Sequence, residues 1–110
     1  MESNIAIKRL SALAQESRLA VFRLLVKAGP DGVPAGEIAR TLDITPNTLS
    51  AQLTILANAG LVASRRDGRS IIYAAGYGSM SELLVYLMED CCQGRPEVCA
   101  GKPSTPSAKP

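Results

Sequence analysis

Three cysteines fall within nine residues, Cys91-Cys92-Gln93-Gly94-Arg95-Pro96-Glu97-Val98-Cys99, and the 110-residue chain has no histidine. Thiols are soft ligands, so this stretch offers three sulfur donors to a soft ion or metalloid. It cannot build the mixed cysteine and histidine cage that zinc usually takes. Arsenic(III) in water is a neutral trihydroxide. Three thiols replace its hydroxyls and leave a three-coordinate pyramid with a lone pair, so three thiols complete the site. Antimony(III) shares this chemistry. A divalent ion seeks a fourth ligand, which Asp90 or Glu97 can offer, so zinc, cadmium and lead stay open as alternatives.

The surroundings of the thiols discriminate further. Cys91 and Cys92 are expected at the end of the last helix, directly after Glu89 and Asp90. The negative end of the helix dipole and the two carboxylates disfavour a thiolate, and Arg95 opposes them in part. Peroxide-sensing cysteines need the opposite, positive setting, which weighs against the thiol-redox alternative. Cys91 also fits the apolar stripe of its helix as a small buried hydrophobe. Cys92 and Cys99 stand in polar sequence, where burial does not account for them.

The elements that must position these thiols are short. The chain carries twelve basic and ten acidic residues, a net charge of +2, and is 46% hydrophobic. That suits one domain with an aliphatic core, small enough that pairing two copies would bury useful additional surface. The charge alone is too mild to establish nucleic-acid binding. An odd cysteine count with two adjacent is no secreted disulfide framework, so the cytoplasm is the expected compartment. Glu2 and Lys8-Arg9 interrupt any signal-peptide pattern, and no apolar run is long enough to span a bilayer.

Apolar spacing predicts helices over 5–13, 17–28 and 35–42. Leu19, Val21, Phe22, Leu25 and Val26 are expected inward on the second, and Ile38, Ala39 and Leu42 on the third. Gly29-Pro30-Asp31-Gly32 stops the second helix, and Pro34 suits the first turn of the third. Thr45 as N-cap and Pro46 at the first helical position open a fourth helix, which buries Leu49, Leu53 and Leu56 and ends before Gly60. Around Arg66-Asp67-Gly68-Arg69 the period changes to that of two strands joined by a tight hairpin turn. Ser79-Met80-Ser81-Glu82 reads as a capping box for a last helix with Met80, Leu83, Leu84, Leu87 and Cys91 on one stripe. Residues 101–110 are proline-rich and apolar-poor, and are expected to form a disordered tail.

Helix, turn, helix and basic hairpin in that order predict a winged helix-turn-helix: mainly α, with five helices and a two-stranded wing. The fourth helix would enter the major groove of double-stranded DNA. Its outward face carries Asn47, Ala51, Thr54 and Asn58, with Thr48, Ser50 and Ile55 on the flanks, Thr45 at its start and Gln52 closer to the buried side. The helix holds no charge, so base reading falls to amides and hydroxyls, which bond base edges. Phosphate contacts fall to Arg65, Arg66 and Arg69 on the wing.

These elements resemble the ArsR/SmtB-type winged-helix repressors over about residues 5–92. The likeness rests on Ala12-Leu13-Ala14-Gln15-Glu16-Ser17-Arg18-Leu19-Ala20-Val21-Phe22-Arg23-Leu24-Leu25, on Glu37-Ile38-Ala39, and on Thr48-Leu49-Ser50-Ala51-Gln52-Leu53-Thr54-Ile55-Leu56 with Ala59-Gly60-Leu61-Val62. Arg66-Asp67-Gly68-Arg69 with Tyr73 completes it. The resemblance implies a homodimer built by the first and last helices, with Ile5, Leu10, Leu13, Leu83, Leu84 and Leu87 as candidate interface residues. It implies operator binding without effector and release with it. Many members carry a Cys-Val-Cys-type pair at the start of the third helix, where this chain reads Val33-Pro34-Ala35-Gly36. Members sensing zinc, nickel or cobalt at the last helix use histidines, absent here. Gln52 stands where histidine is common, so operator sequence does not carry over. The ending Cys91-Cys92…Cys99 resembles the arsenite-responsive branch with C-terminal cysteines.

The expected organisation is therefore a DNA-binding and dimerisation domain over 1–92, a sensor segment over 93–100 and the tail over 101–110. The expected function is a transcriptional repressor released by As(III) or Sb(III) at Cys91, Cys92 and Cys99. A regulator answering thiol oxidation or a soft divalent metal is the alternative. A thiol enzyme has little support: the chain has no Cys-x-x-Cys motif, no histidine base and no glycine-rich phosphate loop.

Overall fold

The computed structural model describes residues 1–89. The expectations for Cys91, Cys92, Cys99, the segment 93–100 and the tail 101–110 lie outside the described residues. The order is α1 (Ser3–Leu13), α2 (Glu16–Ala28), β1 (Val33–Pro34), α3 (Ala35–Leu42), α4 (Pro46–Asn58), β2 (Val62–Asp67), β3 (Ser70–Ala75) and α5 (Tyr77–Met88). This is a winged helix-turn-helix of five helices with a small antiparallel sheet.

The core is aliphatic. Val21, Leu25, Ile38, Leu49, Leu56 and Leu61 are fully buried, and Phe22 joins them from α2. Ile38 and Ala39 of α3 face this cluster as the spacing predicts, and Leu42 packs at its edge. Leu19 and Val26, expected inward, are exposed instead. At 100° per residue both lie about 100° round α2 from the stripe of Val21, Phe22 and Leu25, beyond the width one helix face can bury.

The two-stranded wing is the hairpin of β2 and β3, and β1 joins its edge to give a three-stranded sheet in the order β1-β3-β2. Val33 pairs with Tyr73 and Pro34 with Ile72. Pro34 is extended at φ −63°, ψ 146°, and precedes α3 instead of entering its first turn. β1 is an edge strand, which tolerates a residue without an N–H. The hairpin loop is Gly68-Arg69, with Asp67 opposite Ser70. Gly68 takes φ +64° and Arg69 keeps a negative φ, the sign pattern of a type II′ turn.

One expectation about α5 is corrected. The helix begins at Tyr77 with Gly76 as N-cap, and the Ser79 to Glu82 capping box does not form. The Gly76 N–H bonds the Leu61 carbonyl at 2.7 Å immediately after β3, and Met80 N–H already bonds the Gly76 carbonyl at 3.0 Å. A Cβ on Gly76 would stand 2.7 Å from the Gly60 carbonyl oxygen, so only glycine lets the chain turn from strand to helix this tightly. At the other end α5 stops at Met88, with Glu89 leaving the helix at ψ 127°.

Candidate nucleic-acid interface

The helix-turn-helix is α3 and α4 joined by Asp43, Ile44 and Thr45. Asp43 takes the left-handed conformation, φ 55°, that ends α3, and Ile44 N–H reaches back to the Ala39 carbonyl at 3.0 Å. Thr45 caps α4. Its Oγ1 accepts from Thr48 N–H at 3.4 Å and donates to Thr48 Oγ1 at 2.9 Å. Leu49, Leu53 and Leu56 are buried and pin the inner face of α4.

The opposite face is solvent-exposed. Asn47, Ala51 and Thr54 lie on it, and Thr45, Thr48 and Ser50 are exposed beside it. Thr54 Oγ1 donates back to the Ser50 carbonyl at 2.9 Å, which leaves its lone pairs as acceptors. Thr45 and Thr48 are engaged in the cap, so Asn47 presents the most complete donor and acceptor pair at the leading end. Gln52 stands apart from this set. It is half-buried, and its Oε1 accepts from Arg18 Nη1 at 3.0 Å.

The three wing arginines separate by strand alternation. Arg66 pairs with Ile71 and shares a sheet face with Ser64 and Tyr73. Ile71 and Tyr73 line a cleft of about 230 Å³ with Leu49 and Leu53, so this face looks toward α4. Arg65 pairs with Ile72 on the other face, and its Nη2 donates to the Asp31 carbonyl at 2.9 Å, tying the wing to the loop after α2. Arg69 occupies the turn itself. Arg66 and Arg69 are thus the wing cations presented with α4.

Two arginines missed in the sequence hold α4 in place. Arg18 of α2 donates through Nε to the Ala12 carbonyl at 2.6 Å and through Nη2 to the Ser11 carbonyl at 3.5 Å, besides its bond to Gln52. Arg9 of α1 donates to the carbonyls of Ala59 at 3.1 Å and Ser79 at 2.9 Å, and pairs with Glu82 at 3.2 Å. A cation at the carbonyl end of α4 also complements its dipole. No local pattern marks either residue, because their partners lie up to 73 positions away.

The candidate interface residues of α1 and α5 divide in two. Ile5, Leu10, Leu84 and Leu87 are exposed. Leu83 is 1% exposed and Leu13 packs against the core, so those two already serve the single copy. Ile7 at 64%, Val85 at 65% and Met88 enlarge the exposed apolar surface beyond the residues picked from sequence. None of the described helices is long and apolar enough to cross a membrane.

Comparison with known proteins gives a consistent result. A helix-turn-helix domain family matches residues 13–65. The HTH-type transcriptional regulator NmtR of Mycobacterium tuberculosis is 37% identical over 75 residues, 68% of this chain and 60% of NmtR. A putative arsenical resistance operon repressor ArsR of Halobacterium salinarum is 36% identical over 69 residues, 63% of this chain and 51% of that protein. The chain thus matches less than two thirds of either relative's length. The crystal structure of NolR from Sinorhizobium fredii superposes with a TM-score of 0.64 at 32% identity, covering 79% of this chain and 84% of that one.

Proposed function

The chain belongs to the ArsR/SmtB-type family of winged helix-turn-helix transcriptional regulators, and we propose that it is a homodimeric repressor that binds operator DNA and releases it when As(III) or Sb(III) binds Cys91, Cys92 and Cys99. The DNA-binding reading is carried by the exposed, uncharged polar face of α4 beside a wing that presents Arg66 and Arg69. Amides and hydroxyls read base edges while the arginines hold phosphates. The exposed apolar surface of α1 and α5 supports pairing of two copies. Two-fold symmetry would then set the spacing of the two α4 helices to that of two half-sites.

The sensing reading is carried by three thiols within nine residues and no imidazole in the chain. The name of the halobacterial relative points the same way. Binding is a ligand exchange: three S–H groups and As(OH)3 give As(SR)3 and three waters, with no redox step. Drawing Cys99 onto Cys91 and Cys92 would refold the segment that follows α5. Since α5 helps to pair the copies, the spacing of the two α4 helices would change with it. Linkage requires that DNA weaken arsenite binding by the same factor that arsenite weakens DNA binding. In this reading residues 1–92 form the DNA-binding and dimerisation unit, 93–100 the sensor and 101–110 a tail, and the protein works in the cytoplasm.

The test is a binding titration on a duplex that the protein selects from a randomised pool, with and without arsenite. The wild type should release the duplex, while Cys92→Ser and Cys99→Ser should bind it and hold on. Variants that let go at the wild-type arsenite level would refute the three-thiol site. Release by peroxide or cadmium, and none by arsenite, would establish the alternative sensing chemistry instead.

A further inference from the structure

The two flanks of α4 are held unequally. On one flank the Arg18 guanidinium spans Gln52 Oε1 and the carbonyls of Ser11 and Ala12. Those carbonyls belong to the last turn of α1, and that of Ser11 also accepts from the Ala14 N–H at 3.1 Å. Seven residues beyond Gln52, the Ala59 carbonyl accepts from Arg9 of α1 at 3.1 Å. Seven residues return a helix to within about 20° of the same direction and advance it about 10 Å. Both guanidinium contacts therefore lie along one flank of α4, and both lead to α1. The other flank borders the cleft of about 230 Å³ lined by Ala35, Gly36 and Ala39 and, from β3, by Ile71 and Tyr73. The side-chain hydrogen bonds that reach this flank from Arg18 and Arg9 thus add to the packing of Leu49, Leu53 and Leu56 in setting the roll of α4 about its axis.

We propose that Gln52 is a positioning residue rather than a base reader: its bond to Arg18 sets the roll of α4 against α1, and so the direction in which Asn47, Thr48 and Ala51 meet DNA. A roll of about 10° at a radius of about 6 Å moves a reading side chain by about 1 Å, enough to spoil a hydrogen bond. Reading adenine in two places uses both the amide N–H and the carbonyl of a glutamine. In this structure the Gln52 carbonyl is committed to Arg18. Because α1 also carries exposed Ile5, Ile7 and Leu10, the same clamp ties the reading face to the surface proposed to pair the copies. The inference rests on the DNA-binding reading above.

The experiment measures the affinity ratio between the selected duplex and a scrambled duplex of equal length for Gln52→Met, Gln52→Glu, Arg18→Met and the double variant Arg18→Met/Gln52→Met. Thermal melting without DNA is recorded in parallel. Gln52→Met should lower the ratio by about tenfold, the scale of one lost charge-assisted hydrogen bond. Gln52→Glu should keep the ratio within about threefold, because a carboxylate still accepts from Arg18 although it cannot donate to adenine. The double variant should lose no more than the worse single one, in the ratio and in melting alike. Arg18→Lys, which cannot span three acceptors, serves if Arg18→Met does not fold. A Gln52→Glu ratio as poor as that of Gln52→Met, with an altered base preference at one position, would make Gln52 a base reader and overturn the proposal. A Gln52→Met ratio equal to the wild type would overturn it as well, with DNA binding intact. Wild-type protein that does not distinguish the two duplexes would instead overturn the DNA-binding reading, and the positioning role with it.

Discussion

Gly32 passes directly beneath the main chain of Tyr73. A β-carbon at position 32 would stand 2.6 Å from the Tyr73 carbonyl oxygen and 2.8 Å from a methyl of Ile72. Gly32 also takes φ +81°, and the next residue, Val33, pairs with Tyr73. The loop after α2 enters the sheet as β1 because position 32 has no side chain. The same loop holds Arg65 through the Asp31 carbonyl.

Gly32→Ala should therefore destabilise the fold by about 2–3 kcal/mol, combining a left-handed backbone with a collision against main-chain atoms that cannot rotate away. Melting should fall by on the order of 10 °C for a domain of this size. Gly68→Ala offers the contrast. It shares the positive φ, but its added carbon meets nothing within 4 Å, so it should cost less. Equal losses at the two positions would show that the close approach to Tyr73 contributes nothing.

The wing arginines should not behave alike. Arg69→Ala is expected to weaken selected and scrambled DNA equally and to reduce the salt slope by about 0.9 for each lost phosphate contact. Arg65→Ala should change the slope less, since its guanidinium serves the Asp31 loop. Asn47→Ala should cost more on the selected duplex than on the scrambled one, by about 1–3 kcal/mol. Salt titrations of all three on both duplexes decide the matter. An unchanged slope removes Arg69 from the phosphate-binding set, and equal losses remove Asn47 from the readers.

Neighbouring leucines of α5 should separate pairing from folding. Leu84 is 53% exposed and Leu83 is 1% exposed. Leu84→Glu should leave a folded protein whose dimer dissociates at least about tenfold more readily, since each copy loses a buried leucine from the contact. Leu83→Glu should fail to fold, because it buries a charge without a partner. Sedimentation over a range of concentrations checks the first and circular dichroism the second. A Leu84→Glu dimer as tight as the wild type would place the pairing surface elsewhere.

Proton counting separates arsenite from a divalent metal. Each thiol that displaces a hydroxyl of arsenite supplies the hydrogen of a departing water, so binding should release almost no protons. Cadmium or zinc must displace protons from thiols that stand beside Glu89 and Asp90 in the sequence, and its affinity should rise with pH below the thiol pKa. Calorimetry in buffers of different ionisation enthalpy measures both. Uptake of several protons on arsenite binding would mean that the thiols are already ionised, in favour of the alternatives.

The sequence by itself determined whatever depends on neighbours along the chain. Thr45-Pro46 marks the start of α4 because a cap needs only the next three residues, and Leu49, Leu53 and Leu56 mark its inner face by period alone. Asp67 to Ser70 marks the hairpin for the same reason, and the exposed polar residues of α4 follow from its buried stripe. Tertiary structure decided whatever depends on contacts across the fold. Pro34 became a strand residue because Ile72 lay opposite it, and the capping box at Ser79 yielded to the tighter turn at Gly76 over Gly60. Arg65 parted from Arg66 because β2 faces α4 on one side and the α2 loop on the other. Arg9 and Arg18 look like ordinary surface cations until the carbonyl ends of α1 and α4 arrive beside them. The sequence likewise gives no sign that the Gln52 oxygen accepts from Arg18. A hydrogen bond between distant residues leaves no period in the sequence, so only the packed chain assigns it.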